Sequence, residues 1–355
     1  MRIIKTFFAL LAIAMVACAP LGASAHEAYV LDQNFFWSEL AKPASFESIS
    51  ALNDPANVQV FLIITVCIVA ALALTFLLRR FSVGRRISRS FEKLSAYGPV
   101  VLRLTIATAF FFSAASQSFL GPELPLTVLP FAPLLRIALF ISAVCITLGL
   151  FTRIAALLAL IVYSIGFFHF GFYVTTYLNY LGEILVLLLF GSGKWSLDVV
   201  LFKRRELFSH FKKYETTIVR VCYGAALIFA AITVKFFHPA LTIEVVQHWD
   251  LTRFHWLFPH DPLLVTLGAG LSEFAIGLFI IFGFEMRLTV LVSLFYITLS
   301  LLFFRELVWP HLMLYGVSIN LLVQPEIFTL DHVFFDRKGI KLWKRPFQPH
   351  IHRAK

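Results

Sequence analysis

Long apolar runs, each closed by a short polar or basic stretch, are the dominant pattern of this chain. The first uninterrupted run without a charge covers 58–78, long enough to cross ~30 Å of hydrocarbon as a helix. Eight more follow at about 100–120, 134–151, 154–172, 175–192, 218–237, 263–283, 288–304 and 307–324. None alternates apolar and polar residues as a half-buried strand would, so the pattern predicts an all-α polytopic membrane bundle of nine spans. Ahead of them, Arg2 and Lys5, an apolar run from Phe7 to Ala17 and Ala23-Ser24-Ala25 read as a secretory signal peptide over 1–25. Met15-Val16-Ala17-Cys18 is a weaker lipoprotein-like alternative to it.

Composition agrees with this pattern. Of 355 residues 59% are hydrophobic and 14% charged, against about 25% charged in ordinary soluble domains. Nine spans of ~20 residues take about half the chain, which leaves little length for an extramembrane catalytic domain. The formal charge of +10 is concentrated in Arg79, Arg80, Arg85, Arg86, Arg89 and Lys93, in Lys203-Arg204-Arg205 with Lys212-Lys213, and in the tail from Arg337 onward. Alternating nine spans puts all three basic stretches on one side, the cytoplasmic side by the positive-inside rule, so the charge reports orientation and no nucleic-acid partner. The expected order is a signal peptide (1–25), an acidic outer segment (26–57), a first span (58–78), a basic loop (79–98), a four-span unit (99–198), a basic linker (199–215), a second four-span unit (216–331) and a basic tail (332–355). The setting this implies is a bacterial or archaeal inner membrane, with the N-terminus outside and the C-terminus in the cytoplasm.

The two four-span units match when the chain is laid on itself. Arg103 matches Arg220 and Pro122 matches Pro239, each at an offset of 117 (220 − 103, 239 − 122). Gly149-Leu150-Phe151-Thr152-Arg153 matches Gly283-Phe284-Glu285-Met286-Arg287 at 134, and Ser196-Leu197-Asp198 matches Thr329-Leu330-Asp331 at 133. An even number of spans per unit makes the repeats parallel.

These residues resemble the DoxX family. An Arg enters the first helix of the unit (Arg103, Arg220), and Gly-x-x-x-Arg follows the second (Gly149 and Arg153; Gly283 and Arg287). A small-residue close ends in Ser-Leu-Asp, here Gly191 to Asp198 in the first unit and Thr329-Leu330-Asp331 in the second. Glu273 and Gly277 supply a Glu-x-x-x-Gly element in the second unit, where the first has Leu139 in place of the acid. The likeness covers about 98–331 and implies a helical bundle that serves as membrane subunit or partner of a redox protein, with quinone as cofactor. The leading span is an addition to the family pattern.

Ionisable residues inside the apolar runs are the candidates for chemistry, because each costs a few kcal/mol to place there. Asn179 and Glu183 share one helical face at i, i+4, and Glu273 lies in mid-span, so these two carboxylates are candidate proton acceptors for a quinol or a transported solute. Either is equally suited to a structural ion pair. Lys235 and His238, at i, i+3, are expected to share a face and are candidates for an anion, or else interfacial anchors. They belong to a wider set of polar residues on the outer side, with Gln117, Arg136, His169, Arg305, Glu306 and His311, which predicts a polar pocket opening outward. Arg103, Arg153, Arg220 and Arg287 stand near inner span ends, where they clamp helices or reach lipid phosphates.

A metal is a weaker alternative, resting on His26 at the expected mature N-terminus and on His248, His255 and His260 in the loop 238–262, whose spacings match no standard zinc or haem motif. Cys67, Cys145 and Cys222 lie in spans with no Cys-x-x-Cys, which excludes thiol-disulfide exchange of the usual kind. Three functions remain open: a membrane subunit of a quinone-linked complex, a stand-alone transporter of a small anion or metal, and a structural membrane protein without ligand.

Overall fold

The structure, a computed structural model, describes residues 31–79, 90–193, 195–202, 209–253, 260–324 and 328–335. The signal peptide, most of the basic loops and the tail lie outside these, as do His26 and His255. Among the described residues every regular element is helical. We number the α-helices α1 (Gln33–Leu40), α2 (Pro55–Arg79), α3 (Gly98–Ser116), α4 (Ala132–Leu148), α5 (Thr152–Phe170), α6 (Leu178–Phe190), α7 (Leu197–Phe202), α8 (Glu215–Ala230), α9 (Pro239–His248), α10 (Pro262–Phe282), α11 (Met286–Phe303), α12 (Val308–Val323) and α13 (Leu330–Phe335).

Six helical runs are long and apolar enough to cross a membrane, and α4 and α12 are shorter apolar helices of 17 and 16 residues. The longest run, Thr152–Phe190, is 39 residues and contains both α5 and α6. It is broken at Gly171, whose φ of +66° and ψ of −146° end α5 and start a 3-10 stretch, Gly171–Tyr177, before α6 begins. Each apolar run of the sequence therefore coincides with a helix, but the predicted start at 175 gives way to a true α-helical start at Leu178. The 3-10 stretch carries Tyr173 and Tyr177 into the site described below.

Local chemistry sets the helix ends. Pro follows the cap in α3, α4, α9 and α10, where its missing N–H costs nothing. Asp32 caps α1 by accepting from the N–H of Asn34 and Phe35, and Asp261 caps α10 through Leu263 N at 2.8 Å. Asn57 at the start of α2 donates to Asp261 Oδ2 at 2.7 Å, which ties the leading helix to α10. Beyond that tether and the packing of Phe61 against the cluster of Leu264 and Leu267, α2 is mostly exposed, and none of its apolar window is buried within the chain. Such an apolar exterior suits lipid as solvent and would be an aggregation surface in water.

The remaining long helices form two sets of four, α3–α6 and α8 with α10–α12. Within the first set α3 packs on α4, α4 on α5 and α5 on α6. In the second, α8 packs on α10 and α11 on α12. The sets join reciprocally: α3 lies along α12, and α8 along α6. Both joints are close crossings at a glycine. A Cβ on Gly182 would stand 2.6 Å from Cys222 Cβ, and one on Gly316 would stand 2.0 Å from Thr105 Oγ1. Without a hydrophobic force between helices in lipid, close backbone approach of this kind is what holds them. The partners correspond at the sequence offsets, 222 − 105 = 117 and 316 − 182 = 134.

The ends near α7 and α13 repeat bond for bond. Asp198 accepts from Phe151 N at 2.8 Å and Thr152 N at 3.0 Å, and Asp331 accepts from Glu285 N and Met286 N, both at 2.8 Å. Their own N–H groups donate to Gly149 O and Gly283 O, at 2.8 and 3.1 Å. Arg103 donates to Ser192 O and Trp195 O at 2.8 and 2.9 Å, and Arg220 to Phe328 O at 2.7 Å. Arg153 reaches Leu189 O and Arg287 reaches Leu322 O. Gly149 and Gly283 take φ of +64° and +65°, and a Cβ on either would meet Ser196 or Thr329 within 2.5 Å. These arginines are therefore clamps on backbone carbonyls, and Arg287 also pairs with Glu92 at 3.2 Å. We call this the clamp end, and the other the pocket end.

Candidate functional site

At the pocket end the two helix sets enclose a cavity of about 50 Å³. Its polar lining comes from Tyr173, Thr176 and Tyr177 of the 3-10 stretch, Asn179 and Tyr180 of α6, and His311 of α12, with Ala230 and Val234 closing it from the α8 side. At about 10–15 Å³ of occupied volume per water the space holds a few waters, and polar groups sufficient to bind them surround it.

Asn179 and Glu183 lie on one face of α6, as their spacing predicts. That face continues through Val186 and Phe190, which pack with Tyr223 and Leu321 in the apolar cluster at the joint of the two sets. Glu183 is 1% exposed, and neither carboxyl oxygen has a hydrogen-bond partner. An ionised carboxylate so placed would carry an uncompensated desolvation cost of several kcal/mol.

Glu273 is different. Its carboxylate pairs with Lys235 Nζ at 2.9 Å, both side chains at most one-fifth exposed. The cause is local: after Ala230 the α8 run widens into a π-helical turn, Ala231–Phe237, and Gly270 on α10 leaves room for the Lys235 and Phe236 stems. The same turn separates Lys235 from His238, so the shared face expected from i, i+3 spacing is not formed. His238 instead faces Glu39, with burial holding its imidazole below the usual range and the Glu39 charge opposing that shift. Lys235 and Glu273 answer each other in the structure, and the expected anion site loses its cation to that pair.

Of the other outer-side residues, His311 and Glu306 come together, Nε2 to Oε2 at 2.5 Å, both buried. His311 Nδ1 stands 2.8 Å from Leu307 O, and Ser300 donates to the other Glu306 oxygen. With Nδ1–H donating to a carbonyl, Nε2 is the ring atom that faces the Glu306 carboxyl. Arg136 reaches back to Ala114 O at 2.8 Å and acts as a clamp. Among the described residues no group of three or more His, Cys, Asp and Glu is arranged to hold a metal, and His248 and His260 are not brought into one.

The structure adds a residue that the sequence pattern did not mark. Glu123, in the connection between α3 and α4, is fully buried, and its Oε1 accepts from Tyr173 at 3.1 Å and from Tyr177. Its Oε2 has no partner. Gly121 makes the approach feasible, since a Cβ there would lie 2.1 Å from the Tyr177 hydroxyl and 2.3 Å from Glu123 Oε2. Burial pushes the Glu123 carboxyl up from its ordinary 4.5 to about 7, the Tyr177 and Tyr173 hydroxyls pulling weakly the other way. In the sequence Glu123 stands in Pro122-Glu123-Leu124-Pro125, which reads as an exposed turn; nothing in that spacing announces a buried acid.

The outer segment closes the site. Phe36 and Trp37 of α1 meet the Tyr173 ring edge-on at 5.5 and 5.6 Å, and Ser45 N donates to Phe237 O at 3.0 Å. Comparison with protein-family models, with curated proteins and with solved structures gives no match to this chain.

Proposed function

We propose that the chain is the proton-handling membrane subunit of a quinone-linked redox assembly, built as nine crossings in which a leading helix precedes two parallel DoxX-like four-helix units. The observation that carries this reading is Glu183: a buried, unpaired carboxyl one helical turn from a polar pocket, where the two helix sets meet. A neutral acid in a low-dielectric joint becomes a base only when its proton leaves, and the pocket supplies the route in His311–Glu306 and Asn179. The repeated clamp bonds and the paired glycine crossings support the duplication. The basic loops support an inner-membrane orientation with the pocket end outside. The pocket's volume divides the labour. At about 50 Å³ it is about a third of a cavity that takes a benzene ring, so the quinone ring belongs to the partner protein or to the lipid edge, and this chain to the protons.

Isolation of the tagged protein from its own host in mild detergent tests the reading. Stoichiometric flavin, haem or sulfur-handling companions, and loss of quinone-linked activity in Glu183→Gln, are the expected results. A protein that isolates alone, with unchanged host activity in that variant, overturns it.

The same small volume favours one second reading, a stand-alone carrier of a small solute. Its anion version is weakened by the Lys235–Glu273 pair. Uptake into proteoliposomes that is lost in Glu183→Gln would place this reading first.

A further inference from the structure

The tyrosines between Glu123 and Glu183 form a ladder. Tyr173, Tyr177, Tyr180 and Glu183 follow one another at spacings of four, three and three along the 3-10 stretch and α6. Ring centroids are 6.3 Å apart for Tyr173 and Tyr177 and 5.9 Å for Tyr177 and Tyr180. Tyr177 donates to Glu123 at one end, Tyr180 donates to Leu120 O at 3.3 Å, and Glu183 follows Tyr180 three residues on along α6. Three of these four ladder positions, with Asn179, line the cavity. Two carboxyls that each have an unpartnered buried oxygen thus stand at the two ends of one run of tyrosines beside a space large enough for a few waters.

We propose that Glu123, Tyr177, Tyr180 and Glu183 form a proton relay along the wall of the cavity, with Glu123 and Glu183 as its two termini. This rests on the reading of Glu183 as a proton acceptor but assigns it a donor and a path that do not depend on His311. Each step balances without redox chemistry: Glu123 releases a proton toward the Tyr177 side, each hydroxyl or pocket water takes one proton and passes on its own, and the Glu183 carboxylate gains one. No group is oxidised. The carboxyl of Glu123, at about 7, is poised to give and take protons near neutral pH, as the terminus of a relay requires. Phe36 and Trp37 cover the Tyr173 ring, so the ladder is shielded at that end.

The experiment is hydrogen–deuterium exchange at the Glu183 carboxyl, followed by infrared difference spectroscopy of the full chain in lipid nanodiscs, with the band identified by its loss in Glu183→Gln. Tyr180→Phe and Glu123→Gln are expected to slow that exchange by at least about tenfold, whereas Tyr296→Phe, on an exposed face of α11, leaves it unchanged. Exchange at the wild-type rate in both relay variants, each folded by gel filtration and thermal melting, overturns the proposal. The unmodified protein gives an independent reading should a variant fail to fold. Its Glu183 exchange rate is expected to change with pH about the midpoint of the Glu123 band, and a pH-independent rate overturns the relay equally. Neither measurement needs a quinone or a partner. A failed relay therefore leaves the membrane-subunit reading standing, and the absence of redox companions leaves the relay standing.

Discussion

The clamp end and the pocket end of the same helices differ in one respect above all: the first is made twice and the second once. At the clamp end Asp198 and Asp331 make the same two bonds to backbone N–H groups, Gly149 and Gly283 take the same left-handed turn, and Arg103 and Arg220 hold corresponding carbonyls. At the pocket end one helix set presents Glu123 with its tyrosines and Glu183, while the other presents Lys235–Glu273 and His311–Glu306. Bonds between side chains and backbone depend on turn geometry and tolerate little variation. Contacts between side chains across a joint can diverge as long as each buried charge finds a partner or stays neutral. The lesson is that the chain builds the same frame at two places, while side-chain contacts that differ at the other end make the site.

Several measurements would break or sharpen that contrast. The largest effect is expected from Lys235→Met, which leaves the Glu273 carboxylate buried beside an apolar group. A loss of about 3–5 kcal/mol is expected, with much of it restored in the double variant Lys235→Met/Glu273→Leu. Chemical unfolding in detergent reads both, and a double variant no better than the single would show that the pair does more than neutralise itself.

Asp198→Ala and Asp331→Ala should each cost about 3 kcal/mol, since each strips two backbone N–H groups of their acceptor. Similar losses are the point of the comparison; a melting shift at one site several times that at the other would mean that the two clamps are not equivalent. Glu123 gives a pH signature of comparable or slightly smaller size. Its folded-state pKa lies above the unfolded one, so the folded protein binds more protons between 4.5 and about 7, and stability falls as pH rises through that window. The fall is on the order of 3 kcal/mol at most, from 1.36 kcal/mol per pH unit over the window. Melting temperature between pH 5 and 8 is expected to flatten in Glu123→Gln, and an unchanged slope would assign the pH dependence elsewhere. Smallest should be Gly121→Ala, about 1–2 kcal/mol, because the added methyl displaces flexible side-chain ends. It is nevertheless expected to disturb the Glu123 infrared band, which the structurally similar crowding at Gly149→Ala would leave in place.

Much of the frame was legible in the residues. Apolar runs located the helices, and the matched Arg, Gly and Asp positions located both clamps, because those contacts depend on short-range spacing and a left-handed turn that glycine adopts freely. The Asn179–Glu183 face was legible for the same reason. The expected Lys235–His238 face was not formed, because a π-helical turn changes the angular spacing and no single residue in Ala231–Phe237 signals it. Glu123 escaped notice because burial of a loop acid is a property of what folds over it.

The sequence by itself determined an all-helical, membrane-embedding chain and its internal correspondence, since apolar length and repeat spacing are one-dimensional quantities. Only the tertiary structure decided which carboxyl is paired and which is not. Lys235 stands 38 residues from Glu273, Tyr177 is 54 from Glu123, and whether such groups meet depends on how α6, α8, α10 and the α3–α4 connection cross. The charge state of a buried acid follows from that three-dimensional neighbourhood, because desolvation and the nearest partner set it together.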